Sequence, residues 1–464
     1  MTPTRNVFTP FLCLAISIIV LAGSALAGTD EQVIYRFKGG SDGFGPAGAL
    51  LADKVGNLYG TTAEGGINGG ASCAGVHGCG TVFELSPPAQ SSESWTKTVL
   101  YRFKGGSDGY GPGEALVADK DGNLYSTTAV GGTGNCVNGG ETGCGTIFEL
   151  VRPTSAGGAW THLVLHSFTG VPSGKGDGDG ALPSGVVFDG AGNLYGTTDG
   201  GGYCYTPMDS GALCFGAVFE LAAPSSAGGA WTESVIWRFG ESGLNSPHGD
   251  VIFDKTGRLY GTTYIGGAFG VGGVFKVTPA GGPGSAWTET ALYFFDGSDG
   301  GAPNDSLVFD GAGNLYGTTL IGGAANEGAV FQLTPPESGG DSWTETVLYS
   351  FRASDDGNSP LGNVIFDRAG NLFSTTWQGG TYGDQGGTVF ELTPAASQGA
   401  EWTETVLHVF GAGDDGVQPR AGLIFGLDGA LYGTASTGGS TKVSASCPED
   451  NFAGTCGVVF RVEP

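Results

Sequence analysis

The chain predicts an all-β fold, a seven-bladed β-propeller of four-stranded blades closed by its own N-terminus. Three observations carry this. An NLYGTT-like element occurs seven times, beginning at Gly56, Gly122, Gly192, Gly257, Gly313, Gly370 and Gly429 and spaced 56–70 residues apart. A period of that size signals an array of supersecondary units. Each unit also holds three other short runs rich in Val, Thr, Phe, Tyr and Trp and bounded by Gly, Pro, Asp or Ser, which is strand phrasing. Finally, the last unit lacks its fourth run, while residues 33–43 closely copy residues 99–109.

Within a unit the elements follow in a fixed order. Strand a is a proline-led apolar run such as Pro183-Ser184-Gly185-Val186-Val187-Phe188, and strand b is the NLYGTT element. Strand c is Gly80-Thr81-Val82-Phe83-Glu84-Leu85 and its relatives, and strand d opens on Trp-Thr, as at Trp343-Thr344. No window shows sustained helical spacing of apolar residues. Four strands repeated radially describe a propeller blade. The N-terminal copy then supplies strand d of blade 7, a clasp that leaves few exposed edges.

Residues 1–27 read as a secretory signal. Arg5 is the sole charge, an apolar run spans Phe11 to Ala22, and Ala25-Leu26-Ala27 is an A-x-A cleavage site. The propeller then occupies 28–464, and no other segment is apolar enough to span a membrane. The expected location is secreted or periplasmic, as a monomer. A formal charge of −26 with sparse Lys and Arg argues against nucleic acid and anionic membranes, which need a basic face.

Eight cysteines fall in pairs, each within one b–c loop: Cys73/Cys79, Cys136/Cys144, Cys204/Cys214 and Cys447/Cys456. In an exported protein these read as local disulfides. They belong to blades 1, 2, 3 and 7, whose b–c loops are long; blades 4 to 6 have short loops without cysteine. One arc of the loop face would thus carry tall, stapled loops.

Aligning the units on the strand-a proline exposes what varies. One residue after it stand Ala47, Gly113, Ser184, His248, Asn304, Leu361 and Arg420. Three residues after it stand Ala49, Ala115, Val186, Asp250, Ser306, Asn363 and Gly422. With Asp305, the polar members His248, Asp250, Asn304, Ser306, Asn363 and Arg420 cluster in blades 4 to 7. This set at the channel mouth is the candidate ligand site, with a glycan or protein as the favoured partner.

A second acidic set, Asp42, Asp108, Asp179, Asp299, Asp356 and Asp415, precedes Gly in the d–a loops. It is a weak Ca²⁺ candidate. Asp-Gly is also a common turn pair, the reading favoured for this set and for Asp53 and its equivalents after strand a. No cofactor is otherwise expected. The recurrent Tyr of NLYGTT and the Trp of Trp-Thr read as core, and Gly60 with its equivalents as points of close approach. No catalytic constellation stands out: the G-x-S-x-G strings at Gly39 and Gly105 do not lead into helices.

The unit P-x-G-x-[LV]-[IVL]-F-D-x-x-G-N-L-Y-G-T-T-x-x-G-G…G-x-V-F-x-L-x-P…W-T-E-T-V-L, over residues 31–464, resembles the GloVer (Gloeo_Verruco) tandem repeat of extracellular bacterial proteins. That resemblance implies secretion and brings no catalytic residues with it. More distantly, the P-x-G…D-x-x-G-N-L-Y phrasing is similar to NHL, gluconolactonase-type and streptogramin-lyase-type propellers. The functional expectation is a non-catalytic binding or scaffold module. The alternatives are a metal-dependent lactonase- or lyase-like enzyme working at the channel mouth, with Asp250, Asp305 and Asn363 as ligands, and a structural cell-surface protein.

Overall fold

A computed structural model of the protein describes residues 31–66, 73, 78–90, 93–138, 141–155, 157–170, 176–205, 213–226, 228–240, 243–279, 281, 286–337, 342–353, 355–395, 402–411, 414–439, 447 and 455–464. Residues 1–30, with the segment read as a secretory signal, His77 and much of the long b–c loops lie outside these residues. Seven antiparallel blades are present, each ordered a-b-c-d. Blade 1 consists of Leu51–Ala52, Leu58–Thr62, Thr81–Ser86 and Thr96–Arg102. In blade 7, strand c (Val458–Val462) pairs with Leu431–Thr437 on one side and with the N-terminal strand Gln32–Arg36 on the other, Gln32 opposite Arg461. The clasp read from the repeat is therefore formed. Among the described residues no helix is long and apolar enough to cross a membrane.

The hydrophobic cores lie between blades rather than within them. Tyr59, Val82 and Phe103 of blade 1 pack with Leu116, Leu124, Phe148 and Leu150 of blade 2. A phenylalanine at the end of each strand d meets the strand-c phenylalanine of the next blade. The seven pairs run from Phe37–Phe83 to Phe410–Phe460, with centroids 4.9–5.3 Å apart. Each contributes about 0.5–1.5 kcal/mol beyond its area.

The NLYGTT element makes these contacts possible. A Cβ on Gly60 would meet Phe83 Cζ at 2.6 Å, so glycine admits the ring. The first Thr reaches across to the next strand a: Thr61 Oγ1 donates to Glu114 O (3.2 Å), Thr197 to Gly249 O (3.1 Å) and Thr375 to Ala421 O (3.1 Å). The Tyr packs against the next blade's Trp, as in Tyr195–Trp287 and Tyr260–Trp343. Asp53 accepts from the Val55 and Asn57 amides and from Tyr59, which makes its D-x-x-G run a turn.

Strand a is shorter than its apolar run. In blades 1, 2, 5 and 6 the ladder holds two residues, and in blades 3 and 4 the long strand shifts register after the proline. The residue before that proline has positive φ in every blade, Gly45 and Gly111 but also Leu182, Ser246, Ala302, Ser359 and Gln418. Its amide is used between blades, as where Ala302 N donates to Val271 O at 2.7 Å. The chain thus leaves the ladder where it turns into the channel.

Candidate functional site

Strands a line the central channel, and the residues after their prolines enclose one cavity of about 280 Å³ that touches all seven blades. His248, Asp250, Asn304, Asp305, Ser306, Asn363 and Arg420 all line it, together with Glu114, which the sequence reading missed. The overlooked signal is the second residue after the proline. It is Gly48, Gly185, Gly249 and Gly362 in four blades, Ala421 in one, but Glu114 and Asp305 in blades 2 and 5. Glycine predominates there because neighbouring strands nearly touch: a Cβ on Gly48 would lie 2.5 Å from Glu114 O, and one on Gly249 2.6 Å from Asp305 C.

Three carboxyl groups therefore share a narrow space. Asp305 accepts from the Ser306 amide (2.6 Å) and the Asn363 amide (2.7 Å). Burial nonetheless pushes it up to about 6. Burial, with the Asp305 charge, pushes Glu114 up to about 7 against the pull of His248. Burial, then Glu114 and Asp305, hold Asp250 well above the usual carboxylate range. Asp250 Oδ1 is buried without a hydrogen-bond partner, while its amide donates to Ser306 Oγ (2.9 Å). Near neutral pH the cluster retains protons, so it offers hydroxyl donors as well as acceptors.

The rim adds rings. His248 Nε2 lies 3.1 Å from Asp199 Oδ1, and its ring is 5.0 Å from Tyr264. The Arg420 guanidinium sits 5.0 Å over Trp377, and burial lowers its pKa. Asp199, Tyr264 and Trp377 occupy the position just after the two threonines in blades 3, 4 and 6. Sequence reading missed them because it ended strand b at the second threonine, whereas Asp199 and Tyr264 still belong to that strand.

The d–a aspartates are not brought together. Each ties down its own junction. Asp42 accepts from Tyr35 Oη (2.9 Å), the Lys38 amide (2.9 Å) and Lys97 Nζ (3.1 Å). Asp108 accepts from Tyr101 Oη (2.7 Å) and the Lys104 amide, with His162 Nδ1 at 3.3 Å. Asp299 and Asp356 accept from Tyr293 and Tyr349, and Asp179 and Asp415 face His166 and His408. The residue two after the Trp position of the next blade packs nearby. It is Lys97 or His162 in blades 1 and 2, but Glu233, Glu345, Glu404 and Glu31 in blades 3, 5, 6 and 7, each with a buried, unpartnered Oε1.

Among the described residues the disulfides Cys73–Cys79, Cys136–Cys144 and Cys447–Cys456 are formed. Cys214 is also disulfide-bonded and faces Cys204 across a short antiparallel pair. The d–a loops bridge the b–c loops at Phe44–Glu64, Tyr110–Val130, Gly301–Ile321 and Asn358–Gln378, so both loop sets share the face on which the cavity opens. The tips of the stapled loops fall outside the described residues. Larger grooves of about 470–720 Å³ lie on the opposite face, beside Trp343, Trp95 and Trp160. They recur with the repeat and follow from how blades meet.

The family model described as the Gloeobacter/Verrucomicrobia repeat matches residues 25–227 and 203–446. No curated protein matches the chain. Solved structures similar in fold include a protein of unknown function from Dyadobacter fermentans (13% identity, 81% of this chain and 96% of that one, TM-score 0.40). A protein assigned as a 6-phosphogluconolactonase from Bacteroides uniformis has 15% identity, 75% and 87% coverage and TM-score 0.42. An ulvan lyase of polysaccharide lyase family PL25 has 9% identity, 88% and 90% coverage and TM-score 0.47. Nothing about this chain's activity follows from likenesses at these identities.

Proposed function

This chain belongs to the Gloeobacter/Verrucomicrobia repeat family, and on that premise we propose that it is an exported binding module that takes a glycan at the mouth of its central channel. The observation that carries this reading is the convergence of nine polar or charged side chains on one cavity within an otherwise regular scaffold. A sugar presents hydroxyls that both donate and accept, together with an apolar C–H face. Protonated and ionised carboxyls, Asn304, Asn363 and Arg420 suit the first, and Leu361 with the alanines of the lining suits the second. Export is supported by the leader reading and by the disulfides.

The test is a glycan array probed with the wild type and with Asp250→Ala, Asn304→Ala and Asn363→Ala. Binding should be lost in the variants while the melting temperature holds. A ligand bound equally by wild type and variants would sink the assignment. Binding of no glycan at all would favour the structural surface-protein reading.

One observation favours a second reading, an enzyme of the lactonase or lyase kind. Asp305 at about 6 and Glu114 at about 7 are the pKa values of groups that can exchange protons near neutrality. In that reading Glu114 and Asp305 act as acid and base, and in its metal-dependent form Asp250, Asp305 and Asn363 would hold the ion. The reading predicts turnover of a lactone or uronate polysaccharide with a pH inflection between 6 and 7 that Glu114→Gln removes.

A further inference from the structure

We propose that the junction of blades 2 and 3 holds a first-row divalent metal ion, of which Zn²⁺ is the best fit, between His166, Asp179 and Glu233. One ligand atom from each of these residues lies within 4.8 Å of the others. His166 Nε2 and Asp179 Oδ2 are 3.3 Å apart, long for a hydrogen bond. It equals the edge of a tetrahedron whose metal–ligand bonds are about 2.0–2.1 Å. Glu233 Oε1 is buried and has no hydrogen-bond partner, and a cation would satisfy it.

Departures from the repeat assemble the set. The ring position facing the d–a aspartate is Tyr35, Tyr101, Tyr293 and Tyr349 in four blades, each donating its hydroxyl to the carboxylate. Blade 3 has Trp237, where the d–a aspartate is missing. Blade 2 has His166, whose nitrogen is a metal ligand where a phenol is a poor one. In blade 1 the facing residue from the next strand d is His162; at the blade 2–3 junction it is Glu233. Imidazole and two carboxylates suit Zn²⁺ and its first-row neighbours better than Ca²⁺, which prefers an all-oxygen shell.

The outer contacts suit the role. The Thr169 amide and hydroxyl donate to Asp179 and fix its carboxylate, the kind of support that orients metal ligands. Gly178 N donates to Gly202 O (2.7 Å), which ties the loop of Asp179 to the b–c loop of blade 3. The His166 and Asp179 side chains keep 20% and 16% exposure, which leaves an entry path. Among the described residues Arg238 is the nearby cation that opposes binding, and its Nε donates to Gly178 O (3.2 Å). The ion would clip strand d of blade 2, the d–a loop and strand d of blade 3 together.

The molecule contains its own control. His408, Asp415 and Glu31 repeat the same residue types at the junction of blades 6 and 7, with His408 Nε2 3.3 Å from Asp415. Those three do not gather within one ion's reach. Full-length protein stripped with EDTA and titrated with Zn²⁺ by calorimetry should bind one equivalent, and Co²⁺ should give one saturable visible absorption band. His166→Gln and Glu233→Gln should weaken binding at least tenfold, and His408→Gln should leave it unchanged. Glu233→Gln removes an unpartnered buried acid, so it keeps the test open if His166→Gln misfolds. Absence of binding, binding that survives both substitutions, or binding lost only in His408→Gln would overturn the proposal.

Discussion

Replacing Glu345 with Gln should make the protein more stable at pH 8 and leave it nearly unchanged at pH 5. Glu345 leaves strand d of blade 5 to face Asp299 and Asp296, and its Oε1 is buried without a partner. Burial, then those two charges, push its pKa from 4.5 to about 8. The folded state therefore holds this proton where the unfolded chain has released it. Between pH 4.5 and 8 the folded state binds more protons, so stability falls as pH rises through that window. Three to four pKa units correspond to about 4 kcal/mol at pH 8. Water reaches part of the side chain, and screening reduces this to about 1–2 kcal/mol. At pH 5 the same reasoning leaves a few tenths of a kcal/mol. A glutamine cannot ionise and escapes the penalty. Urea unfolding followed by tryptophan fluorescence at pH 5 and pH 8 measures both differences. A Gln variant that is less stable at pH 8, or one whose difference from wild type is the same at both pH values, would refute the reasoning.

Two further outcomes are expected. Gly249→Ala should cost about 2–4 kcal/mol, because Gly249 has φ +70° and a Cβ would meet the Asp305 backbone at 2.6 Å. Urea unfolding of the variant measures it, and a neutral result would show that the channel strands are not in close contact. Cys136→Ser with Cys144→Ser should cost about 2–3 kcal/mol, and non-reducing peptide mapping should find four links, each within one b–c loop. A link between blades would contradict the pairing.

Much of this architecture was legible because a repeat is a ruler. Seven NLYGTT copies set the blade count, and the displaced strand d at Val33-Ile34-Tyr35-Arg36-Phe37 announced the clasp. Variation at fixed offsets from the proline picked out side chains that do share one cavity. Glu114 escaped because glycine at its offset hid the pattern, and only the close approach of neighbouring strands explains why glycine is usual there. Trp377 and Tyr264 escaped because their contacts with Arg420 and His248 are made across strands and are not visible in either strand's own pattern. The d–a aspartates read ambiguously as turn or ion ligands. Their contacts with Lys97 or His162 cross blades, and one unit considered alone does not contain such partners.

The pairing of Gln32–Arg36 with Val458–Val462 also governs how the molecule is made. These two strands, about 420 residues apart in sequence, share a ladder, so the ring stays open until Val458–Val462 has been made, and its closure is the most non-local step of folding. The same proximity makes the chain a natural substrate for circular permutation. Joining Val462 to Gln32 by a short peptide and cutting at a d–a loop would place all four strands of every blade consecutively. Such a permutant should reach the same fold faster, since no strand then waits for a partner at the far end of the chain.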